Sequence, residues 1–228
     1  MADKEVNKRN SGLIKDIIIG MSDGLTVPFA LTAGISGVVD TSHLIVVSGL
    51  AEIAAGCISM GLGGYLAGES EIEQYEKELQ REFSEIETVP NLELKEVEDI
   101  LQNMGVDEGL SHQVALQISR DKNRWADFMM KLELEMQKPL KNRATISAAT
   151  IAISYLVGGF IPLFPYIIIN NSKTGFYFSC AVTIAALTIF GFLKSKVTGQ
   201  PLIKGTFKIV SIGVAAAGTA YFLAKLIS

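Results

Sequence analysis

The chain has 228 residues, of which 49% are hydrophobic and 19% charged, and its mean hydropathy is +0.34. This composition is too apolar for an ordinary water-soluble domain, and the chain is too long for a single membrane anchor. The formal net charge of −4 is the sum of very unevenly placed charges, so their positions are more informative than the total.

Five apolar segments are long enough to cross a bilayer, whose hydrocarbon core requires about 20 helical residues. Residues 1–10 are charged and lack the apolar stretch of a signal peptide, so the first segment is expected to act as the membrane signal. We therefore predict an all-α integral membrane protein with five transmembrane helices and a helical cytosolic insertion between helices two and three. The predicted spans are residues 17–39, 44–66, 144–169, 176–193 and 202–227. The predicted domains are 1–66 with spans one and two, 67–140 with the insertion, and 141–228 with spans three to five.

The placement of basic residues predicts which ends of the spans face the cytosol. Lysine and arginine occur before span one, in the insertion, and between spans four and five. The loop of residues 40–43 has neither, and the loop between spans three and four has only Lys173. Because cytosolic loops are enriched in Lys and Arg, the N-terminus and the insertion are predicted to be cytosolic and the C-terminus to lie on the far side. Small residues four apart, such as Ala30 and Gly34, fit close helix packing either between two subunits or within one.

Two acids lie within the predicted spans, Asp23 in span one and Glu52 in span two, whereas the last three spans have none. An ionised carboxylate at the centre of a membrane costs several kcal/mol and usually faces a cavity, a partner or an ion pathway. We therefore interpret Asp23 and Glu52 as members of an ion or proton pathway. The alternative is that both are protonated packing residues, hydrogen-bonded to nearby hydroxyls.

A methionine follows Glu52 at helical spacing. Glu52, Gly56 and Met60 recur every four residues, which places them on one broad face of a helix. A carboxylate with a thioether suits a borderline divalent ion, although methionine alone is usually core filler. Protons and metal ions compete for the same carboxylate oxygens, so an acidic far side would release metal that the neutral cytosol allows to bind. This is the physical logic of an antiporter.

The insertion carries eighteen of the 24 acids in a helical pattern. Its first helix is predicted to continue from span two to about Thr88. A second helix is predicted to begin near Asn91 as its N-cap, a third to span 111–119, and a fourth to span 123–137 before Pro139. The apolar stripe of the first helix consists of Tyr75, Leu79, Phe83 and Ile86, and that of the fourth of Trp125, Phe128, Met129, Leu132 and Met136.

The helical pattern alone leaves the glutamates of the insertion as solvated helix faces. Glutamate is a good helix former, and Arg81 can pair with Glu78 and Glu85. Met129 fits the apolar stripe of its helix but Met130 does not, and Glu133 lies one turn from both. From the residues alone, this arrangement is only a weak indication of a metal site.

Other kinds of site lack their sequence patterns. Neither His43 nor His112 belongs to the E-x-x-H pair of a di-iron helix bundle. The chain has no G-x-x-x-x-G-K-[ST], G-x-S-x-G or H-E-x-x-H motif, so we predict neither an ATP-driven pump nor an enzyme. Cys57 and Cys180 lie in apolar segments without C-x-x-C spacing, which indicates neither a disulfide framework nor a thiolate metal site. No prosthetic group and no nucleic-acid partner are expected.

Three stretches closely resemble the vacuolar iron transporters of plants, yeast and parasites. They are DIIIGMSDGLTVPFALTAGISG at 16–37, AEIAAGCISMGLGGYLA at 51–67 and WADFMMKLE at 125–133. The resemblance implies a dimer of subunits with five spanning helices, in which metal passes at the dimer interface. It implies transport roles for Asp23, Glu52 and Met60. It also implies that the cytosolic ligands are Glu82, Glu85, Glu93, Glu96, Met129, Met130 and Glu133.

The expected function is proton-coupled antiport of Fe2+, and second of Mn2+, out of the cytosol into an acidic compartment or out of the cell. Methionine sulphur favours the softer Fe2+, and Zn2+ and Co2+ are expected competitors. The expected partners are the bilayer, divalent ions, protons and a second copy of the chain. The membrane is expected to be vacuolar in a eukaryote and the cell membrane in a prokaryote. The rival function is a membrane-anchored metal sensor or buffer, which gives the two acids within the spans no use.

Overall fold

All regular secondary structure that can be described in this chain is helical. The computed structural model describes the backbone of residues 2–227 and the side chains of residues 12–227, so Lys4, Lys8 and Arg9, which contribute to the topology prediction, lie outside the described side chains. The predicted all-α fold class is confirmed. The helices are α1 (Ala2–Ser36), α2 (Ser42–Thr88), α3 (Pro90–Asn103), α4 (Glu108–Ile118), α5 (Lys122–Leu132), α6 (Arg143–Ile168), α7 (Ser172–Val197) and α8 (Leu202–Ile227).

Five of the described helices are long and apolar enough to cross a membrane. They are α1 from Gly12 onward, α2, α6, α7 and α8, and each overlaps one of the five predicted spans, although α1 ends at Ser36 instead of residue 39 and α6 ends at Ile168 instead of residue 169. Helix α1 extends towards the N-terminus beyond residue 17, the predicted start of the first span. Asp16 therefore lies within the same helix as the predicted first span, and it is only 2% exposed.

The chain folds into two compact units. The first consists of Met1–Leu66 and Ala144–Ser228 and contains α1, the first half of α2, and α6 to α8. The second consists of Ala67–Arg143 and contains the rest of α2 with α3, α4 and α5.

In the first unit, α1 packs against α7 and α8, and glycines allow α6 to approach it closely. A Cβ atom added to Gly158 of α6 would lie 3.0 Å from the backbone nitrogen of Leu25, so a larger residue would separate the two helices.

The α1–α2 and α6–α7 loops meet at one end of the first unit. The amide of Ser42 donates to the carbonyl oxygen of Asn170 at 3.0 Å, and the amide of Ser172 donates to that of Asp40 at 3.1 Å. An isolated antiparallel bridge joins Thr41 to Asn171 beside them. These are the two loops predicted to face away from the cytosol, and a common side is what that topology requires.

The second unit has a core of its own, to which the predicted stripe of α2 contributes. Leu79, Phe83 and Ile86 pack with residues of α3, α4 and α5. The buried members of this core are Ile86, Val97, Ala115, Trp125, Ala126 and Met129. Burial of these side chains stabilises the unit through the hydrophobic effect.

Three helix limits in the second unit differ from the prediction. Helix α3 begins at Pro90 with Val89 as its N-cap, so Asn91 is not the cap; proline suits the first helical position because its missing N–H would be unpaired there. Helix α4 begins earlier than residue 111, because Asp107 caps it by accepting from the amide of Leu110 at 3.1 Å.

Helix α5 ends at Leu132, not at residue 137. Glu135 adopts a left-handed backbone with φ 52°, and the amide of Met136 donates to the carbonyl oxygen of Met130 at 2.7 Å. Met136 therefore lies outside α5. The periodic pattern had predicted it on the apolar face of that helix, and this prediction is wrong.

Candidate functional site

Glu52, in the membrane-spanning part of α2, is held by a tyrosine from α6. The hydroxyl of Tyr155 donates to Oε1 of Glu52, whereas Oε2 is buried and has no hydrogen-bond partner among the described residues. Tyr155 is 2% exposed. One carboxylate oxygen of Glu52 is thus positioned by the protein, and the other is left for a proton, a water molecule or an ion.

Two glycines create the space that Tyr155 occupies. A Cβ atom at Gly24 of α1 would collide with the backbone of Tyr155, and one at Gly56 of α2 would collide with its ring. Gly24 follows Asp23 directly, and Gly56 lies one turn after Glu52. The packing therefore brings the two helices that carry the membrane acids to the same tyrosine.

Asp23 lines a cavity of about 270 Å3 in the first unit, together with two lysines. Lys194 of α7 and Lys208 of α8 share this cavity with Asp23, Ser22 and Thr26. Among the described residues, Asp23 has no hydrogen bond or ion pair, and neither lysine has a carboxylate oxygen within 4.0 Å. From the sequence, the basic residues in this region served only to predict which side of the membrane is cytosolic.

Met60 lies on the face of α2 that carries Glu52 and Gly56, as its spacing predicts. All three residues are partly buried in the single chain. Met60 has no described contact with Asp23 or Glu52, so its transport role stays a prediction from spacing and resemblance.

In the second unit, glutamates from three parts of the chain converge. Glu82 of α2 is 1% exposed and Glu93 of α3 is 3% exposed, and one carboxylate oxygen of each is buried without a hydrogen-bond partner among the described residues. Burial raises the pKa of Glu82 to about 7, assisted by the negative charges of Glu133 and Glu85. Burial likewise raises the pKa of Glu93 to about 7, assisted first by Glu96 and then by Glu82.

Glu133, the residue that caps the C-terminus of α5, belongs to the same electrostatic cluster. Burial raises its pKa, and Glu96 and Glu85 add to the effect while Arg81 opposes it. We call Glu82, Glu85, Glu93, Glu96 and Glu133 the acidic cluster. All five are residues that the family resemblance implies as ligands, and the structure brings their charges within mutual influence.

The two methionines of α5 occupy different surroundings, although both are fully buried. Met129 is part of the apolar core with Trp125 and Ile86, whereas Met130 is outside that group. The sequence pattern distinguished them in the same way, since only Met129 fits the apolar stripe. The role of either methionine as a ligand of a borderline cation such as Fe2+ stays a prediction from the family resemblance.

The carboxylates of the acidic cluster are not arranged as a finished metal site. Among the described residues, no group of three or more His, Cys, Asp or Glu side chains could hold a metal ion as they stand. Arg81 lies against two members of the acidic cluster, Glu82 and Glu85, with nitrogen–oxygen distances of 3.5 Å to each. Metal binding there requires side-chain movement.

Sequence reasoning overlooked Asp16 and Tyr155. Asp16 lies one residue before the predicted first span, and the structure buries it within helix α1. Tyr155 had no local pattern to mark it, because its partner Glu52 lies 103 residues away. The one available signal was a tyrosine hydroxyl in an apolar span, which needs a hydrogen-bond partner.

Comparison with known proteins gives consistent similarities over most of the chain. The model of the VIT family matches residues 14–225. Vacuolar iron transporter 1 of Tulipa gesneriana is 46% identical over 215 residues, covering 94% of this chain and 87% of that protein. Vacuolar iron transporter 1 of Arabidopsis thaliana is also 46% identical over 215 residues, with 94% and 86% covered. Protein CCC1 of Saccharomyces cerevisiae is 38% identical over 226 residues, with 94% and 69% covered.

Proposed function

Because the chain belongs to the VIT family, we propose that it carries ferrous iron out of the cytosol across a vacuolar membrane, in exchange for protons. Several relatives bear the name vacuolar iron transporter, and they are named as transporters, not as enzymes. Five helices long and apolar enough to span a membrane fit this role. Mn2+ is the second proposed cargo, since carboxylate oxygens bind it readily.

The observation that carries the proposal is the pair of membrane acids, Asp23 and Glu52. Among the described residues, Asp23 lines a cavity without a hydrogen-bond or ion-pair partner, and Glu52 keeps one oxygen unpaired while Tyr155 donates to the other. Carboxylates placed in this way can bind either a metal ion or protons, and the two compete. The acidic cluster of the second unit is proposed to collect the ion on the cytosolic side before it enters the membrane.

A second copy of the chain is proposed to cover the exposed face of α2. Only 22% of the most apolar part of α2 is buried in the single chain. The small residues Ala51, Ala54, Ala55 and Ser59 are exposed close to Glu52 and Met60. Small side chains let membrane helices pack closely, so this face suits a homodimer whose interface carries the ion pathway.

Fe2+ uptake into proteoliposomes tests the proposed function. We expect reduced, anoxic Fe2+ to enter vesicles of acidic interior, and uptake to fall to the protein-free level when an ionophore removes the pH gradient. Protein orientation is verified by protease accessibility. If correctly oriented protein binds Fe2+ but moves none under any gradient, the sensor or buffer function replaces this proposal.

A Tyr155→Phe variant tests how Glu52 is positioned. Phenylalanine keeps the ring between Gly24 and Gly56 but removes the only described hydrogen bond to Glu52. Partners that orient a metal-binding group typically change affinity or activity by about 10- to 100-fold. We therefore expect the apparent KM for Fe2+ uptake to rise about tenfold with little change in thermal stability.

The matched control for Tyr155→Phe is Tyr177→Phe, whose side chain on α7 is 72% exposed. Uptake by this control is expected to equal that of the native chain. Equal KM values for all three proteins would show that the Tyr155 hydroxyl has no part in transport.

A further inference from the structure

Arg81 of α2 lies among three carboxylates of its own helix. Its Nη1 is 3.1 Å from Oε2 of Glu78, its Nη2 is 3.5 Å from Oε1 of Glu82, and its Nε is 3.5 Å from Oε2 of Glu85. The guanidinium side chain is 48% exposed, whereas Glu82 is 1% exposed. The guanidinium, which is planar and permanently charged, is therefore half-exposed to solvent and at the same time lies against the buried carboxylate of Glu82.

Ion pairs along an exposed helix contribute little, and this would be the ordinary interpretation of Arg81 with Glu78 and Glu85. The contact with Glu82 is different. Neighbouring residues on a helix do not normally face each other, yet the guanidinium of Arg81 reaches the carboxylate of Glu82, the most deeply buried member of the acidic cluster. The positive charge of Arg81 also lowers the pKa of Glu133, against the effect of burial, so its influence extends to a member of the acidic cluster outside its own helix.

We propose that Arg81 is a built-in competing cation, which a divalent ion must displace from Glu82 and Glu85 in order to bind the acidic cluster. This inference rests on the proposed function, in which both glutamates are metal ligands. A carboxylate oxygen that ligates a metal cannot also accept from the guanidinium, and two cations a few ångströms apart repel each other. Arg81 therefore lowers the affinity of the acidic cluster for its cargo.

Glu78 has a separate part in this exchange. It makes the shortest ion pair of Arg81, it is 21% exposed, and it is outside the proposed ligand set. When the carboxylates of Glu82 and Glu85 bind a metal ion, the ion pair with Glu78 keeps the guanidinium of Arg81 at the edge of the acidic cluster. A cluster with its own cation releases metal more readily, because the returning guanidinium restores the charge balance as the ion leaves.

Fe2+ binding to the full-length protein in detergent tests this role. Affinity is measured anoxically by equilibrium dialysis and by quenching of Trp125, the single tryptophan, which lies in the core of the second unit. Exposed or half-exposed charge pairs contribute a few-fold each, so Arg81→Gln is expected to lower the Kd about tenfold. Glu78→Gln is expected to raise the Kd several-fold, since Arg81 then has no alternative partner.

A matched variant separates this role from a general change in charge. Lys77→Gln removes one positive charge from an exposed position on the same helix and is expected to change the Kd less than twofold. Arg81→Lys keeps the charge but loses the fork that bridges two carboxylates, so its Kd is expected to lie between those of Arg81→Gln and the native chain. Arg81→Lys also serves if Arg81→Gln fails to fold.

The inference is overturned if Arg81→Gln and Arg81→Lys bind Fe2+ no more tightly than the native chain, or if Lys77→Gln tightens binding equally. A purely structural salt bridge would give weaker binding on removal, which is the opposite sign. Failure of the transport proposal is distinguishable, because a chain that binds Fe2+ more tightly without Arg81 but transports none keeps this inference and loses the antiport. Absence of Fe2+ binding by the native chain overturns both.

Discussion

Replacing Asp23 by Asn is expected to lower Fe2+ uptake into acidic proteoliposomes by at least about 100-fold. Changes to groups that merely orient a metal ligand cost about 10- to 100-fold, so loss of a carboxylate that exchanges metal for protons should cost more. Asparagine preserves the shape of Asp23 within its cavity but neither carries a charge nor takes up a proton there. Glu52→Gln is expected to have the same effect for the same reason.

The control for Asp23→Asn is Asp40→Asn, which removes an exposed acid from the α1–α2 loop. Its uptake is expected to stay within about twofold of the native rate, as for most surface substitutions. Fe2+ binding by the second unit, followed through Trp125, is expected to be unchanged in Asp23→Asn. Normal uptake by both Asp23→Asn and Glu52→Gln would exclude the proposed pathway through these acids.

The membrane part of the fold could be predicted well, because the solvent imposes a simple rule there. A helix that crosses a bilayer must be apolar for about 20 residues, and all five such segments were recognisable. The residues at which the helices begin and end were less predictable. Helix α5 ends where the backbone at Glu135 turns left-handed, although the apolar periodicity continues to Met136. Periodicity describes which side chains can share a face, and it does not record where backbone hydrogen bonding changes.

The two parts of the candidate site differed in how far the sequence could predict them. Asp23 and Glu52 were identifiable individually, since an acid in an apolar span is costly wherever it points. The acidic cluster was not, because α2, α3 and the end of α5 each supply glutamates that look solvated in their own helix. Only tertiary packing buries Glu82 and Glu93. The family resemblance supplied that grouping, and the residue spacing did not.

The raised pKa values of Glu82 and Glu93, both about 7, predict that metal binding by the second unit is steeply dependent on pH. A metal ion binds the deprotonated carboxylates, so at pH below 7 it must displace about two protons. The Kd for Fe2+ is therefore expected to rise about 100-fold between pH 8 and pH 6. Equilibrium dialysis of the full-length protein at these pH values measures it, and a Kd that stays constant would contradict the protonation of both carboxyls near neutrality.

The same pKa values predict how the second unit's stability depends on pH when a chelator keeps metal away. A glutamate with a pKa near 4.5 in the unfolded chain and about 7 in the fold binds its proton more tightly in the folded state. Below pH 4.5 both states are protonated and there is no penalty; the penalty grows as the pH rises to 7 and is complete above it. For one such group it is on the order of 3 kcal/mol. The free energy of unfolding is thus expected to fall between pH 5 and pH 8.

Denaturant unfolding followed by Trp125 fluorescence reports on this unit within the whole chain, because Trp125 is the single tryptophan and is buried in that core. Glu82→Gln is expected to be more stable than the native chain at pH 8 and to flatten the pH dependence, since its amide has no proton to lose. Glu87→Gln is the control from the same helix: Glu87 is exposed and paired with Lys122, which lowers its pKa, so its removal should not flatten the curve. If the second unit of the native chain became more stable as the pH rose, the glutamates would be solvated helix faces. The acidic cluster would then hold no repulsion between buried carboxylates for a metal ion to neutralise.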